Sequence, residues 1–310
     1  MKKLIKVGSR KSALALAQSR WVISRVQSKF PDIEFEIVGI QTRGDIILDK
    51  RLDKIGGKGL FIKELENALL DGTIDIAVHS AKDMPAKLPE GLVIPIVSCR
   101  EDPRDVLVTA DGRKLDQLES GAVIGTSSAR REVQILEKRP DIYIKTLRGN
   151  INTRLEKALN NKGYDAIMLA AAGLKRLGLE EKCVEYFAVD DIIPAVGQGI
   201  LAIETRVDED IEFLMESVHC EKAAIQLSAE RAFLKKLNGG CTTPMAAHAI
   251  IEGESIKIYG MLATDDKTFS CRDMVKGNKS KAVQLGEQLA VRLSEKLEKR
   301  SGTEQKKSDG

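Results

Sequence analysis

One carboxylate, Asp83, is placed where it could do chemistry. It follows the short apolar segment 74–78 and is accompanied by His79, Lys82 and Pro85. The segment is typical of a buried strand, and in open α/β sheets ligands bind just beyond the carboxyl ends of strands. A strand end with ordinary solvated charges explains this stretch equally well. Asp83 is, however, the one carboxylate here that has a neighbouring cation and a predicted buried strand to fix its position.

A second group of candidate residues is basic and lies in the middle of the chain. Its members lie near predicted turns from strands into helices: Arg130, Arg131, Arg148, Arg154, Lys175 and Arg176. The planar guanidinium suits carboxylates and phosphates, and helix N-termini favour anions. A solvated helix surface is the alternative, which we accept for Lys138, Arg139 and Lys145. The group favours a polyanionic small molecule as ligand.

The third candidate is a thiol. Cys241 follows two glycines and precedes Thr242, Thr243 and Pro244, on a predicted tight loop between a helix and a strand. Most lone cysteines are buried and inert. A thiol on a Gly-Gly loop is a better candidate for reaction or modification, although no neighbouring histidine suggests a Cys–His pair.

The elements that must position these groups form two similar α/β units. In each unit a strand leads into a Gly-Ser or Gly-Thr pair and a helix that starts with basic residues, at residues 8–12 and 125–131. The first helix is predicted over about residues 12–30, capped by Ser9 or Ser12. Its predicted apolar face consists of Ala13, Leu14, Leu16, Ala17, Trp21 and Val22.

The second half of the chain changes character. A strand-like segment at 199–205 is predicted to return to the first unit, and a helical stretch over 208–237 is predicted to break near His219 and Cys220. Three further strands (244–251, 255–263 and 269–275) with short turns predict a small antiparallel sheet, followed by a helix over about 281–299. The predicted domains are 1–98 plus 194–217, an inserted 99–193, and 218–300, with a disordered polar tail at 301–310.

Composition excludes several classes of protein. The 310 residues are 43% hydrophobic, 31% charged and 4% aromatic, and their net charge is only +3. Nucleic-acid binding is therefore not favoured, because the chain has little overall positive charge to attract phosphates and few aromatic side chains on which bases could stack. Five scattered cysteines without a CxxC pair argue against disulfides and zinc and for the reducing cytoplasm. Lys6, Arg10 and Lys11 interrupt any signal peptide, and the apolar run 166–174 is too short to cross a membrane. We therefore expect a cytoplasmic protein without metal, membrane or nucleic acid.

Six motifs occur together in a recognisable order. They are GGKGLF at 56–61, VHSAKDMP at 78–85, GTSSARR at 125–131, RGN with TRL at 148–155, AGLKRLG at 172–178 and GGC at 239–241. In these motifs the chain closely resembles the porphobilinogen deaminase (hydroxymethylbilane synthase) family, from about Gly8 to the end of the third domain. Ala13, Ala81 and Thr242-Thr243 depart from the commoner family pattern, but none of these changes removes a charged or nucleophilic group.

The resemblance implies a transferase that joins four porphobilinogen molecules head to tail, with release of ammonia, into a linear tetrapyrrole of haem biosynthesis. It implies a dipyrromethane cofactor tied through a thioether to Cys241, and Asp83 as the catalytic carboxylate that stabilises the cation left when ammonia departs. The residues implied to hold the cofactor are Lys82, Thr126, Ser128, Arg130, Arg131 and Arg154. Those implied to hold porphobilinogen or the growing oligopyrrole chain are Arg10, Ser12, Gln18, Arg148, Arg154 and Arg176.

The implied fold has two periplasmic-binding-protein-like α/β lobes with a central cleft, and a small α+β C-terminal domain with a three-stranded antiparallel sheet; the family suggests a monomer. The glycine-rich loop 56–59 resembles a phosphate loop only loosely, because Gly59 stands where that motif needs Ser or Thr. We expect it to be a mobile loop whose Lys58 reaches into the site.

A non-catalytic polyanion-binding module on the same fold is the main alternative, but it leaves Asp83 and the Gly-Gly-Cys loop without a role. A transcriptional regulator is a weaker one, because no helix-turn-helix segment accompanies the lobes.

Overall fold

The computed structural model describes residues 4–42, 62–160, 163–237 and 244–308, and for 301–308 it describes the backbone only. Among these residues the strands form three sheets, two of five strands and one of three. The predicted fold class, two α/β lobes and a C-terminal antiparallel sheet, is confirmed by this arrangement. The predicted domain limits stay a prediction.

The first sheet is mixed and has helices on both faces. Its strands are β1 (Leu4–Arg10), β2 (Glu34–Ile40), β3 (Ile76–Ser80), β4 (Leu92–Val97) and β10 (Leu201–Arg206), in the spatial order β2–β1–β3–β10–β4. Strands β1, β2 and β3 are parallel, whereas β10 runs antiparallel to β3 and β4. Helices α1 (Ala13–Gln27) and α6 (Glu212–Ser217) pack on one face, and α2 (Lys63–Leu70) packs on the other.

The second sheet repeats this arrangement. Its strands are β5 (Asp105–Thr109), β6 (Val123–Gly125), β7 (Tyr143–Lys145), β8 (Ala166–Ala170) and β9 (Glu185–Tyr186), in the order β7–β6–β8–β5–β9. Its helices are α3 (Ala129–Lys138), α4 (Ile151–Leu159) and α5 (Ala171–Lys175). Strands β6, β7 and β8 are parallel, and β5 is antiparallel to both β8 and β9. In each sheet the antiparallel fourth strand is therefore the one that arrives from the other lobe.

The two chain segments that cross between the lobes are pressed together. The Glu101 N–H donates to Gly199 O at 3.0 Å. Gly199 has a φ of +91°, and a Cβ added there would lie 2.3 Å from Glu101 O. Only glycine meets both requirements, so the crossing point depends on this residue.

The third sheet is antiparallel and consists of β11 (Met245–Glu252), β12 (Ser255–Ala263) and β13 (Ser270–Asn278). Helices α7 (Glu221–Lys236) and α8 (Ala282–Ser308) complete this part of the chain. Their fully buried Phe233 and Leu289 pack with Ile256 and Ile258 of β12. The break predicted near Cys220 is confirmed, because α6 ends at Ser217 and α7 begins at Glu221.

Two local predictions differ from the structure. Helix α1 buries Ala15, Gln18, Ser19, Val22 and Val26, whereas Trp21 of the predicted apolar face is 38% exposed. The buried amide of Gln18 is tolerated because it donates to Ser80 Oγ at 2.9 Å. The last helix also runs on to Ser308 instead of giving way to an irregular tail at Ser301, since polar residues such as Glu, Gln and Lys are good helix formers.

Across the described ranges, no helix combines the length and apolar character needed to span a bilayer. The same ranges contain no group of three or more histidine, cysteine or acidic side chains arranged to hold a metal ion.

Candidate active site

Asp83 lies in a short 3₁₀ turn directly after β3. The turn, Ala81–Asp83, is fixed on its inner side because the Ala81 N–H donates to Ile200 O at 2.9 Å and the Met84 N–H donates to Ala81 O at 3.2 Å. Ala81 and Met84 are buried, whereas Lys82 and Asp83 are exposed. The apolar anchors therefore hold the carboxylate and the ammonium outward at the end of a buried strand.

His79, four residues before Asp83, turns away from this exposed pair. Its Nε2 lies 2.9 Å from Glu204 Oε2 on β10, and both side chains are buried. Ser80 accepts a hydrogen bond from Gln18, which brings the N-terminal half of α1 to the end of β3. His79 thus belongs to the sheet interior, while Gln18 lies close to the strand end that carries Asp83.

The second lobe contributes two buried arginines that share one carboxylate. Arg130 and Arg131 are each 6% exposed, and Asp105 is fully buried. Arg130 Nη1 donates to Asp105 Oδ2 at 2.6 Å, and Arg131 Nη2 donates to Asp105 Oδ1 at 2.8 Å. Arg130 also donates to Ile193 O and Arg131 to Met168 O. The two guanidinium groups are therefore held rigidly by Asp105 and the main chain.

Gln198 connects this arginine pair to the first lobe. Its Nε2 donates to Asp105 Oδ1 at 2.9 Å and to Pro103 O at 2.7 Å. Its Oε1 accepts from Lys82 Nζ at 3.3 Å. A continuous polar chain thus runs from Lys82 through Gln198 to Asp105 and the arginines, across the point where the lobes meet.

Asp105 and Gln198 are functional candidates that the sequence motifs do not single out. Asp105 opens the fully buried strand DVLVT, and an acidic residue at such a position needs a cationic partner. That signal is present in the sequence, but the identity of the partners is not. Gln198 is 1% exposed in an irregular segment and carries no comparable signal.

Positive charge is concentrated in the cleft. Burial in the cleft lowers the pKa of Lys82 to about 8; Arg131 and Arg130 lower it too, against the opposing effects of Asp83 and Asp105. Lys82 also keeps access to solvent. Burial likewise lowers the pKa of Arg154 to about 10, with Arg131 and Arg148 adding repulsion and Asp83 opposing it.

These interactions place Asp83 of the first lobe and Arg131, Arg148 and Arg154 of the second in one electrostatic cluster. Lys82 and Arg154, whose charged forms are disfavoured, gain stability when an anion enters. The site is therefore suited to a ligand with several carboxylates.

Comparison with known proteins identifies the family. Residues 5–212 match the model described as porphobilinogen deaminase, dipyromethane cofactor binding domain, and residues 224–295 match the porphobilinogen deaminase C-terminal domain. The chain belongs to the porphobilinogen deaminase family. The predicted resemblance is thereby confirmed, and the alternative of a non-catalytic binding module is not favoured.

Individual relatives agree over almost the whole chain. The porphobilinogen deaminase of Bacillus subtilis (strain 168) is 48% identical over 299 residues, which is 96% of this chain and 94% of the relative. That of Syntrophus aciditrophicus (strain SB) is 48% identical over 290 residues, 93% of this chain and 94% of the relative. Among solved structures, the methionine binding protein MetQ gives a TM-score of 0.45 at 14% identity, covering 70% of this chain and 89% of its own.

The hydroxyls that the family resemblance implies as ligands also accept hydrogen bonds from nearby main-chain N–H groups. Ser12 Oγ accepts from the Ala15 N–H at 3.3 Å, and Ser128 Oγ accepts from the Arg131 N–H at 3.4 Å. Thr126 Oγ1 accepts from the Ser128 N–H at 3.1 Å. Each hydroxyl hydrogen remains a donor that these contacts do not use. Their assignment as ligand contacts stays a prediction.

The remaining basic residues lie in both lobes and at the crossing point between them. Arg154 Nε donates to Gly149 O at 2.8 Å, which fixes its side chain at the start of α4. Arg176 Nη2 donates to Gly199 O at 2.8 Å, at the crossing point of the lobes; burial lowers its pKa to about 10, and Glu101 opposes this. Arg10 and Arg148 are half-buried at the ends of strand-to-helix connections in the first and second lobes.

Two predicted site residues fall outside the described part of the chain. These are Cys241, the predicted attachment point, and Lys58, with the glycine-rich loop 56–59. Their assignments stay predictions.

Proposed function

We propose that this chain is a porphobilinogen deaminase that joins four porphobilinogen molecules head to tail, with release of ammonia, into hydroxymethylbilane. The observation that carries the proposal is the placement of Asp83 among cations from both lobes, with Lys82 beside it and Arg154 interacting with it electrostatically. Each porphobilinogen carries an acetate and a propionate, so a growing chain gathers negative charge that these cations can hold. Family membership and nearly full-length relatives support the same activity.

The residues of the cleft fit a dipyrromethane cofactor. Lys82 and Arg154 present positive charge at a cost in hydration, which the carboxylates of such a group would relieve. Lys82, Thr126, Ser128, Arg130, Arg131 and Arg154 would hold it. When bound, the cofactor supplies the pyrrole end from which the chain is extended. We propose attachment through a thioether to Cys241.

Asp83 acts on the substrate directly. The buried strand β3 and the anchored 3₁₀ turn keep its carboxylate in place before the reaction begins. Loss of ammonia leaves positive charge on the incoming pyrrole, and a fixed carboxylate next to the pyrrole N–H stabilises that charge without reorganisation. The same oxygens can take up the proton that leaves when the new carbon–carbon bond has formed.

The arginines bind and orient the reacting rings. Bidentate guanidinium–carboxylate pairs fix position as well as charge, and positioning of this kind supplies a large part of the rate of a two-substrate reaction. Arg10, Ser12, Gln18, Arg148 and Arg176 would hold porphobilinogen or the growing chain. The rigid support of Arg130 and Arg131 by Asp105 suits the permanent cofactor better than a succession of substrates.

The intact mass of the purified protein tests the proposal. The enzyme should carry the additional mass of two pyrrole units, and porphobilinogen should add further units of one ring. Cys241→Ser should have the mass of the bare polypeptide, whereas Cys271→Ser, the matched control, should keep the added mass. A wild-type protein that neither carries nor gains pyrroles would show that the proposed activity is wrong.

We also propose that the enzyme acts as a monomer in the cytoplasm, on porphobilinogen and its oligomers, without metal or nucleic acid. The motif resemblance and the weak overall charge support this assignment. Light scattering of the loaded enzyme at assay concentration should give the mass of one chain; a mass of two chains would contradict it.

A further inference from the structure

Two cysteines meet where the chain leaves the first lobe. Cys99 comes two residues after the end of β4, and Cys220 directly precedes α7. The Cys220 N–H donates to Val97 O at 2.9 Å, which joins the start of α7 to the end of β4. The Cys220 side chain lies close enough to the Cys99 thiol to be the largest influence on its pKa. Two residues far apart in the sequence thus form a pair of neighbouring thiols.

The pair is accessible and reduced. Cys99 is exposed and Cys220 is half-buried, and neither is in a disulfide. The other described cysteines have different partners. Cys183 hydrogen-bonds to Tyr186, and Cys271 Sγ lies 3.4 Å from Leu293 O.

The surroundings determine how fast Cys99 can react. The neighbouring Cys220 side chain and partial burial raise the pKa of Cys99, and Arg25 at the end of α1 opposes this increase. The thiolate is the reactive form, so the reactivity of Cys99 should be low near neutral pH and increase in alkaline solution.

We propose that Cys99 and Cys220 form a modification site, a dithiol that low-molecular-weight disulfides oxidise to an intramolecular disulfide. The Cys99 thiolate attacks one sulfur of the reagent, which forms a mixed disulfide and releases one thiolate. The Cys220 thiolate then attacks the Cys99 sulfur, which forms the Cys99–Cys220 bond and releases the second thiolate. Two electrons pass to the reagent, which leaves as two thiols carrying the two cysteine protons.

Other contacts already join the two chain segments that carry the pair. Arg100, next to Cys99, donates through Nη2 to Glu230 Oε1 at 2.7 Å and through Nη1 to His248 Nδ1 at 2.8 Å. Glu230 lies on α7, and it also accepts from the Gly197 N–H at 2.7 Å. The crossing segment and α7 are therefore already joined beside the two thiols. A disulfide would add a covalent link to this junction and close a loop that contains the whole second lobe.

The test uses the purified full-length protein and oxidised glutathione as the disulfide. After trypsin digestion without reductant, peptide 88–100 should be linked to peptide 207–222, and dithiothreitol should separate them. Linkage should form about tenfold faster at about pH 8 than at about pH 7, because the thiolate fraction rises tenfold per pH unit below the pKa. The oxidised enzyme should also unfold at a higher temperature than the reduced enzyme, because the link restrains the unfolded chain.

Matched variants separate the pair from the other thiols. Cys220→Ser should give no linked peptide and should leave Cys99 carrying glutathione, and serine at a helix N-cap is not expected to harm folding. Cys99→Ser should also abolish the linkage, whereas Cys183→Ser should form it at the wild-type rate. Glutathione on Cys99 without linkage in the folded wild type would overturn the proposal, as would linkage that persists in Cys220→Ser. None of these measurements requires porphobilinogen, so the outcome is independent of the proposed enzymatic activity.

Discussion

Asp105→Asn removes the charge that holds two buried arginines. Asp105 is fully buried and accepts from Arg130 at 2.6 Å, from Arg131 at 2.8 and 3.1 Å, and from Gln198 at 2.9 Å. Asparagine keeps the shape, but it offers one oxygen and turns an NH₂ group toward the other donors. Two guanidinium groups would then be buried without a counter-ion.

The loss of stability in Asp105→Asn can be estimated from this geometry. Breaking a buried ion pair by removing one partner costs about 3–5 kcal/mol, because the remaining charge is left unpaired. Total stabilities of folded domains are about 5–15 kcal/mol, so the loss should be large in urea unfolding followed by circular dichroism. Asp111→Asn is the matched control, since Asp111 pairs with Arg113 at the surface of the same lobe, and it should unfold like the wild type.

The pH dependence gives an independent check on Asp105. Burial alone would raise the pKa of its carboxyl group, but Arg130 and Arg131 outweigh this and hold it below its usual value. An unfolded aspartate titrates near 3.9, so the stabilising contribution is complete above about pH 4 and is lost as the pH falls toward the lower folded value. Asp105→Asn should lack this loss. If it is as stable as the wild type to within about 1 kcal/mol, the arginine pair does not depend on Asp105.

Three further predictions concern the cleft and its crossing point. The pKa of Lys82 is about 8 in the folded protein and about 10.4 in an unfolded chain, so the stability of the cofactor-free protein should rise with pH between these values. In urea titrations Lys82→Met should lack that rise. If stability still rises with pH as steeply in Lys82→Met as in the wild type, the lowered pKa does not belong to Lys82. Gly199→Ala should lower the free energy of unfolding by about 1–3 kcal/mol. The loss should exceed that of Gly253→Ala, because Gly253 has a φ of +61° but open space around it. Equal losses of stability would show that the clash with Glu101 is relieved elsewhere. Arg131→Leu should be purified largely without cofactor, while Arg148→Leu should load it and lose about 1.5–3 kcal/mol in porphobilinogen binding per lost charge-assisted bond; equal loading would refute this division of roles.

Much of the fold could be predicted because its signals are local. Apolar runs, serine caps and short turns between the last three strands lie within a few residues of each other, and the structure confirms the elements they predict. The position of Asp83 beyond a buried strand was predictable for the same reason.

The rest depends on contacts between distant parts of the chain. The sequence marks Arg130 and Arg131 as ligand candidates but gives no sign that Asp105 supports both, because the strand and the helix meet only in the folded lobe. The predicted buried face of α1 was wrong for a similar reason. Gln18 is buried because Ser80, sixty-two positions away, accepts its amide hydrogen, and no local pattern records that partner.

The rate of ring addition by Asp83 variants tests the central claim most directly. The claim is that a fixed carboxylate among cations from both lobes stabilises the cation formed when ammonia leaves. Cofactor-loaded wild type, Asp83→Asn and Asp83→Glu are mixed with porphobilinogen, quenched at intervals and weighed intact, with folding checked by circular dichroism. Asp83→Asn should add rings at least about a hundredfold more slowly, as losses of one preorganised electrostatic group do in other enzymes, and Asp83→Glu should retain more activity because it keeps the charge. Ring addition by Asp83→Asn at nearly the wild-type rate, or no advantage of Glu over Asn, would contradict the claim.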